Sequence, residues 1–336
     1  MIKVAINGFG RIGRLAFREM ITSVDFDVVA INDLTDAESI AYLIKYDTNH
    51  RSFHEDIISF ENDYLVINKQ KKIKIYAEKD PLNLPWKDLG VDVVLECTGV
   101  FTDEEGAKKH ITAGAKKVLI SAPGKGNMKT IVYNVNDQIL DGSETIVSAA
   151  SCTTNCLAPI VKLLQDNIGI VKGFMTTVHA YTNDQMTLDI AHKKGINSRR
   201  GRAAAMNIIP ASTGAASAIG EVIPELLGKL DGNAFRVPVS DGSVVDLTVE
   251  PGKNTSVDEI NNLFLNNQNE TLKATFDPIV SSDVLGKKCG ALVDLQLTSV
   301  LEADGKQLIK VVAWYDNEVG YTAQMMRTAK KLMNIK

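Results

Sequence analysis

The stretch Val4-Ala5-Ile6-Asn7-Gly8-Phe9-Gly10-Arg11-Ile12-Gly13 constrains the fold of this chain more than any other. A strand-like run ends at Asn7 in Gly8-x-Gly10-x-x-Gly13, and a helical run opens at Arg11. The first glycine allows a tight turn, the second lets the backbone approach a pyrophosphate, and the third lets helix pack on strand. The start of the helix attracts the anion. Asp33 follows Gly13 by twenty residues, at the end of the next β-branched run. A carboxylate there accepts from adenosine ribose hydroxyls and repels a 2′-phosphate. The combination predicts a βαβ dinucleotide site that prefers NAD to NADP.

The rest of the first half keeps this rhythm. Strand-like Asp27–Asn32, Val91–Glu96 and Val118–Ser121 alternate with helical Arg11–Thr22, Asp36–Tyr46 and Asp103–Ala113, which implies parallel βαβ units. Ile57–Phe60, Tyr64–Ile67 and Ile73–Tyr76 are spaced as a small antiparallel excursion. Beyond residue 150 the pattern changes to longer strand-like runs with few helices, at Ile170–His179, Phe235–Val239, Val244–Glu250, Leu292–Ser299 and Leu308–Tyr315. The expected class is α/β, a Rossmann-type doubly wound parallel sheet followed by an α+β domain with a mostly antiparallel sheet. The boundaries fall at 1–150 and 151–317. An amphipathic helix at 318–336, with Val319, Met326, Ala329 and Leu332 on one side, is expected to rejoin the first domain. A length of 336 residues suits two such domains.

The charge balance, Lys+Arg 37 against Asp+Glu 41, lacks the basic excess of a nucleic-acid binder. Any anion site must be local. Met1-Ile2-Lys3 leads straight into a strand without the pattern of a signal peptide. The uncharged stretch 203–220 holds Asn207, Pro210, Ser212 and Thr213, so no membrane span is expected. Four cysteines are too few for a secreted disulfide framework and fit a reducing, cytoplasmic setting.

Ser151-Cys152-Thr153-Thr154-Asn155-Cys156 stands between a strand end and an apolar helical run. A thiol at a helix N-terminus is expected to have a lowered pKa, and the thiolate is the nucleophile. Cys152 is the candidate. Cys156, one turn further in, is either buried and inert or a redox partner, while Cys97 and Cys289 default to packing. Among the five histidines, His179 ends a strand-like run and is the best-placed base; a core histidine is the alternative. His50 and His54 are expected to be a solvated pair, His110 to be exposed on its helix, and His192 to lie in a loop. That loop, 181–206, carries Lys193, Lys194, Arg199, Arg200 and Arg202. A segment of this length is expected to be ordered and to touch ligand or another subunit.

INGFGRIGR at 6–14, ASCTTNCLAP at 150–159, HAYTNDQ at 179–185, RAAAMNIIPASTGAA at 202–216 and WYDNEVGY at 314–321 occur in order. Together they resemble phosphorylating glyceraldehyde-3-phosphate dehydrogenases along essentially the whole length. The resemblance implies NAD-dependent oxidation of glyceraldehyde 3-phosphate, with inorganic phosphate as the acyl acceptor, to 1,3-bisphosphoglycerate. Cys152 would form the thiohemiacetal and thioester, and His179, ion-paired with the thiolate beforehand, would be the base. It assigns Arg236 and Thr182 to the substrate phosphate, and Ser151, Thr153, Arg200, Thr213 and Gly214 to the attacking phosphate. Arg11 and Ile12 would meet the pyrophosphate, Asp33 the ribose, Lys79 and Ser121 the length of the dinucleotide, and Asn317 the nicotinamide carboxamide. Tyr321 would pack behind that ring.

The same resemblance implies a homotetramer in which loop 181–206 lines a neighbour's NAD pocket. Two positions depart from the family pattern. Asp189-Ile190-Ala191-His192 lacks a proline common at Ala191, which implies weaker exclusion of NADP, and Lys79 replaces a frequent arginine. Erythrose-4-phosphate dehydrogenase, built from the same parts, is the close alternative; an NAD-binding adhesin or nucleic-acid partner is the distant one.

Overall fold

In a computed structural model the described residues, 1–193 and 195–334, form two compact units. The first comprises residues 1–133, 137–151 and the chain from Met325 onward; the second comprises 134–136 and 152–324. Lys194 of the basic cluster, and Ile335 and Lys336 of the expected terminal helix, lie outside the described residues.

The first unit contains strands β1 (Ile2–Asn7), β2 (Phe26–Asn32), β3 (Ile58–Glu61), β4 (Tyr64–Ile67), β5 (Lys71–Tyr76), β6 (Val93–Glu96), β7 (Lys117–Ile120), β8 (Lys129–Thr130) and β9 (Ile146–Ser148). They form one sheet in the order β3-β4-β5-β2-β1-β6-β7-β9-β8. The expected antiparallel excursion is β3-β4-β5, and β5 returns to pair in parallel with β2. Helices α1 (Arg11–Met20), α2 (Ala37–Lys45), α3 (Trp86–Leu89) and α4 (Glu104–Thr112) connect the strands. Val4 to Asn7 are all buried, as a central parallel strand covered on both faces requires. Asp36 and Asp103 start α2 and α4 by accepting the Ser39 and Gly106 backbone N–H groups, which satisfies donors that a helix cannot pair internally. Trp86 is wholly buried among Ala5, Val94, Val118 and Ile120. Strand order reverses between β1 and β6, so their carboxyl ends open the crevice where such sheets bind ligands.

The second unit contains α5 (Cys152–Asn167), β10 (Ile170–Ala180), β11 (Ile209–Ser212), α6 (Ala215–Val222), β12 (Leu230–Val237), β13 (Ser243–Pro251), α7 (Val257–Asn266), β14 (Leu272–Thr275), β15 (Ala291–Ala303) and β16 (Lys306–Tyr315). The sheet order is β11-β12-β10-β13-β16-β15-β14. Two pairs, β10 with β12 and β14 with β15, are parallel, and the others antiparallel. Strands β11 and β14, which periodicity does not reveal, are short edge strands, and Pro210 is tolerated in β11 for that reason. The terminal helix α8 (Val319–Asn334) begins in the second unit and continues into the first. It is not one-sided: Thr322, Gln324, Met325 and Thr328 are buried as well as Met326, Ala329 and Leu332, the state of a helix enclosed by protein.

Candidate active site

At the end of β1 in the first unit, Gly8 has φ of 90°, and a Cβ there would lie 2.6 Å from the Thr98 backbone nitrogen. A Cβ on Gly13 would lie 2.2 Å from the Gly8 carbonyl oxygen, whereas one on Gly10 would meet nothing within 4 Å. The outer glycines are therefore fixed by packing, and the middle one leaves backbone open to a ligand. Asp33 accepts the Phe9 N–H at 2.6 Å on one carboxylate oxygen and the Thr35 N–H at 2.9 Å on the other. Each oxygen retains a lone pair for a ribose hydroxyl. This cradle fits a dinucleotide. The Arg11 side chain does not reach for it: both terminal nitrogens pair with Asp47, whose carboxyl is held at about 2, burial being outweighed by the Arg11 and His50 hydrogen bonds. What remains for a pyrophosphate is the backbone at the start of α1, including Ile12.

Beneath the turn, Glu96 is 1% exposed and accepts from Asn7 Nδ2 at 2.5 Å, from the Thr98 N–H at 2.8 Å, and from the Thr98 hydroxyl. Asn7 Oδ1 in turn accepts from Asn32 Nδ2 at 2.7 Å. The expectation that His110 is exposed is wrong, for it is fully buried. The Trp86 indole can only donate, so His110 Nδ1 accepts from it at 3.0 Å and Nε2–H faces Glu96 at 3.1 Å. The one buried polar position of α4, His110, is polar because it meets polar partners. Ser121 follows β7, with its N–H on the Glu96 carbonyl, and Lys79 is exposed on the loop after β5.

The second unit assembles the other candidates. Cys152 is the first residue of α5, and Ser151 before it closes the 137–151 segment of the first unit. Ala150 enters this corner with φ of 58°, a left-handed conformation unfavourable for alanine. Cys152 Sγ lies 3.4 Å from His179 Nε2, and His179 Nδ1 lies 2.7 Å from the Ala180 carbonyl oxygen. A carbonyl only accepts, so Nδ1 carries the proton and Nε2 offers its lone pair to the thiol. Tyr315 packs edge-on against the His179 ring at 5.8 Å, with its hydroxyl 2.9 Å from Thr153 Oγ1 and 2.8 Å from Thr177 Oγ1.

Burial opposes the expected thiolate. Burial pushes the Cys152 thiol above its ordinary value, opposed by the Arg236 charge and by hydrogen bonds from Thr153. Burial also brings His179 down to about 3, and Arg236 acts in the same direction. Loss of solvation thus works against the helix N-terminus and disfavours the charged form of each partner taken alone. Forming the thiolate by passing its proton to His179 keeps the pair net neutral, whereas losing it to water does not.

Cations gather around the pair. Arg236 donates to the Ala180 carbonyl at 3.1 Å and to Thr182 Oγ1 at 2.8 Å. Its Nε and the Gln185 side-chain nitrogen are buried donors with no hydrogen-bond partner among the described residues, as expected where an anion binds. Arg200 pairs with Asp184, which also accepts from Thr182. Asp184 carried no signal of its own in the sequence. Thr213 accepts the Ala215 N–H at 3.2 Å, and Gly214 caps α6 with open space where a Cβ would stand. Asn317, just after β16, is buried, and so is Tyr321 in the first turn of α8.

Loop 181–206 is ordered where described. Its backbone is stitched by Met186 N–H to the Arg200 carbonyl, Ala204 N–H to that of Met186, and Ile190 N–H to that of Gly201, at 2.9–3.1 Å. His192 Nε2 lies 3.1 Å from the Asp184 carbonyl. Among the described residues no helix is long and apolar enough to cross a membrane.

Two family models match the chain, "glyceraldehyde 3-phosphate dehydrogenase, NAD binding domain" over residues 2–104 and "glyceraldehyde 3-phosphate dehydrogenase, C-terminal domain" over residues 151–317. Curated relatives match from end to end. The chain is 57% identical over 335 residues to glyceraldehyde-3-phosphate dehydrogenase of Clostridium pasteurianum, covering 100% of this chain and 99% of that one. It is 56% identical over 328 residues to the Clostridium acetobutylicum enzyme, covering 98% and 97%. It is 54% identical over 336 residues to that of Streptococcus pyogenes, covering 100% and 99%. Full-length identity at this level, with a fitting dinucleotide cradle, places the chain in the glyceraldehyde-3-phosphate dehydrogenase family, NAD-dependent oxidoreductases.

Proposed function

We propose that the chain oxidises the aldehyde of glyceraldehyde 3-phosphate and captures the acyl group with inorganic phosphate, giving 1,3-bisphosphoglycerate. The observation that carries this reading is the Cys152–His179 contact at 3.4 Å with the far ring nitrogen tied to the Ala180 carbonyl. Cys152 Sγ adds to the aldehyde carbon as its proton passes to His179 Nε2, which then gives it to the carbonyl oxygen. The Cys152 backbone N–H at the head of α5 supports that oxygen as charge develops on it. Bound at the Gly8–Gly13 turn, NAD would supply the hydride acceptor. His179 Nε2 removes the thiohemiacetal hydroxyl proton, and the thioester remains on Cys152. Phosphate oxygen then bonds to the acyl carbon while the carbon–sulfur bond breaks, and Arg236 stabilises the departing thiolate.

Arg236 and Thr182 hold the substrate phosphate, a role supported by the buried Arg236 Nε, which has no hydrogen-bond partner among the described residues. Ser151, Thr153, Arg200, Thr213 and Gly214 receive the attacking phosphate. Asp33, Lys79 and Ser121 lie along the dinucleotide, Asn7, Gly8, Gly10, Arg11, Ile12 and Gly13 form its turn, and Asn317 and Tyr321 attend its nicotinamide. The reading includes a cytoplasmic homotetramer, supported by Leu188, Ile190, Ile196, Met206 and Ile208, apolar side chains exposed around the 181–206 loop. The test is NADH formation from glyceraldehyde 3-phosphate with and without phosphate, in the parent and in Cys152→Ser. Phosphate-dependent turnover lost in the variant is expected. Turnover by Cys152→Ser at the parent's rate would refute the mechanism.

A further inference from the structure

β13 runs between β10, which ends at Ala180 beside His179, and β16, which ends at Tyr315 two residues before Asn317. Its first residue, Ser243, is 1% exposed. The Ser243 hydroxyl oxygen accepts the Ala180 backbone N–H at 3.0 Å. It lies 2.6 Å from Asn317 Oδ1 and donates its single proton there. One hydroxyl thus joins the catalytic histidine's strand to the asparagine: the Ala180 N–H takes one of its lone pairs and its proton goes to Asn317 Oδ1, a proton that would have no other acceptor among the described residues if the amide were turned. The consequence falls on Asn317. Its oxygen is committed, its side chain is 5% exposed, and its Nδ2 meets no protein acceptor among the described residues. A turned amide would set nitrogen against the serine and leave its oxygen facing the ligand.

We propose that Ser243 is a positioning residue that fixes the polarity of Asn317, so that this side chain offers only N–H donors and recognises the nicotinamide through its carboxamide oxygen. This rests on the reading that Asn317 faces the nicotinamide. A site wired as a donor is indifferent to the carboxamide nitrogen, whereas an amide free to turn can exploit that nitrogen as well.

The experiment measures dissociation constants by calorimetry for NAD and for 3-acetylpyridine adenine dinucleotide, which keeps the carbonyl oxygen and replaces the amino group by methyl. The parent binds the two within about threefold of each other. Ser243→Ala weakens NAD by about three- to tenfold, the worth of one hydrogen bond, and weakens the analogue further, so the ratio moves toward NAD. Ser243→Thr, which keeps the hydroxyl, restores the parental ratio. A purely structural role for Ser243 would weaken both cofactors equally, and that unchanged ratio would overturn the proposal. So would a parent that binds the analogue more than about tenfold less well than NAD, a result that needs no variant to fold. Asn317→Ala separates the two layers. If it leaves NAD binding untouched, the assignment of Asn317 to the nicotinamide fails; if it weakens NAD while Ser243→Ala leaves the ratio unmoved, only the role of Ser243 fails.

Discussion

The dinucleotide turn in the first unit and the Cys152–His179 pair in the second solve opposite problems. The turn's three glycines lie within a few residues of one another, and its selectivity comes from what is missing: a Cβ at Gly8 would collide with the Thr98 backbone and one at Gly13 with the Gly8 carbonyl. The pair is built from residues far apart in sequence, and its chemistry comes from what surrounds it: burial, the Arg236 charge, and the Ala180 carbonyl that fixes the histidine tautomer. A backbone site tolerates little change in shape. A buried reactive pair is governed instead by solvation and the direction of its hydrogen bonds.

That contrast sets the size of substitution effects. His179→Asn removes the proton acceptor, and kcat should fall by about 10²–10⁴-fold while the NAD dissociation constant stays at the parental value. The same variant carries a stability signature. The folded pKa of His179, about 3, lies below its ordinary 6.5, so its contribution to stability is complete above pH 6.5 and is lost as pH falls toward 3. Urea unfolding across that range should show a loss in the parent that His179→Asn lacks.

In the other unit, Gly13→Ala places a methyl 2.2 Å from the Gly8 carbonyl. It should destabilise the protein by about 3 kcal/mol and weaken NAD binding, with thiol alkylation at Cys152 unchanged in the folded fraction. Unchanged melting would show that the turn relaxes. Arg236→Gln should raise KM for the phosphorylated aldehyde by about ten- to a hundredfold, the worth of a charge-assisted hydrogen bond. Because Arg236 lowers the thiol pKa, its loss should move the pH midpoint of iodoacetamide labelling upward; a downward shift would refute its electrostatic role. Asp33→Ser is the mildest: it should shift the ratio of specificity constants toward NADP by about tenfold, or ~1.4 kcal/mol. Ala191→Pro should shift that ratio toward NAD by less.

The same contrast explains what could be read from the residues alone. Gly8, Gly10, Gly13 and Asp33 stand at fixed spacing in one βαβ unit, so periodicity and turn chemistry identify the cradle. Cys152 and His179 are visible as candidates through their place at a helix start and a strand end. Their neighbours are not, because Tyr315 and Ser243 reach the site through sheet registers that pair β10 with β13 and β13 with β16, and Asp184 through its pairing with Arg200 across the loop. His110 looks like a surface residue on a charged helix, but it is buried by long-range partners, Trp86 and Glu96. The thiol's raised pKa is a property of burial, and local spacing points the other way. Edge strands β11 and β14 are not legible because four residues that include Pro210, or that lie between polar stretches, carry too little pattern.

The sharpest test of a thiol that passes its proton to His179 and then carries the acyl group is a single-turnover experiment without phosphate. Glyceraldehyde 3-phosphate and NAD are mixed with the parent, NADH is followed at early times, and the protein is quenched and digested for peptide mass analysis. The expected result is a burst approaching one NADH per subunit, and an acyl mass on the peptide that contains Cys152. Steady turnover without phosphate, or a burst with the acyl group on another residue, would contradict the mechanism.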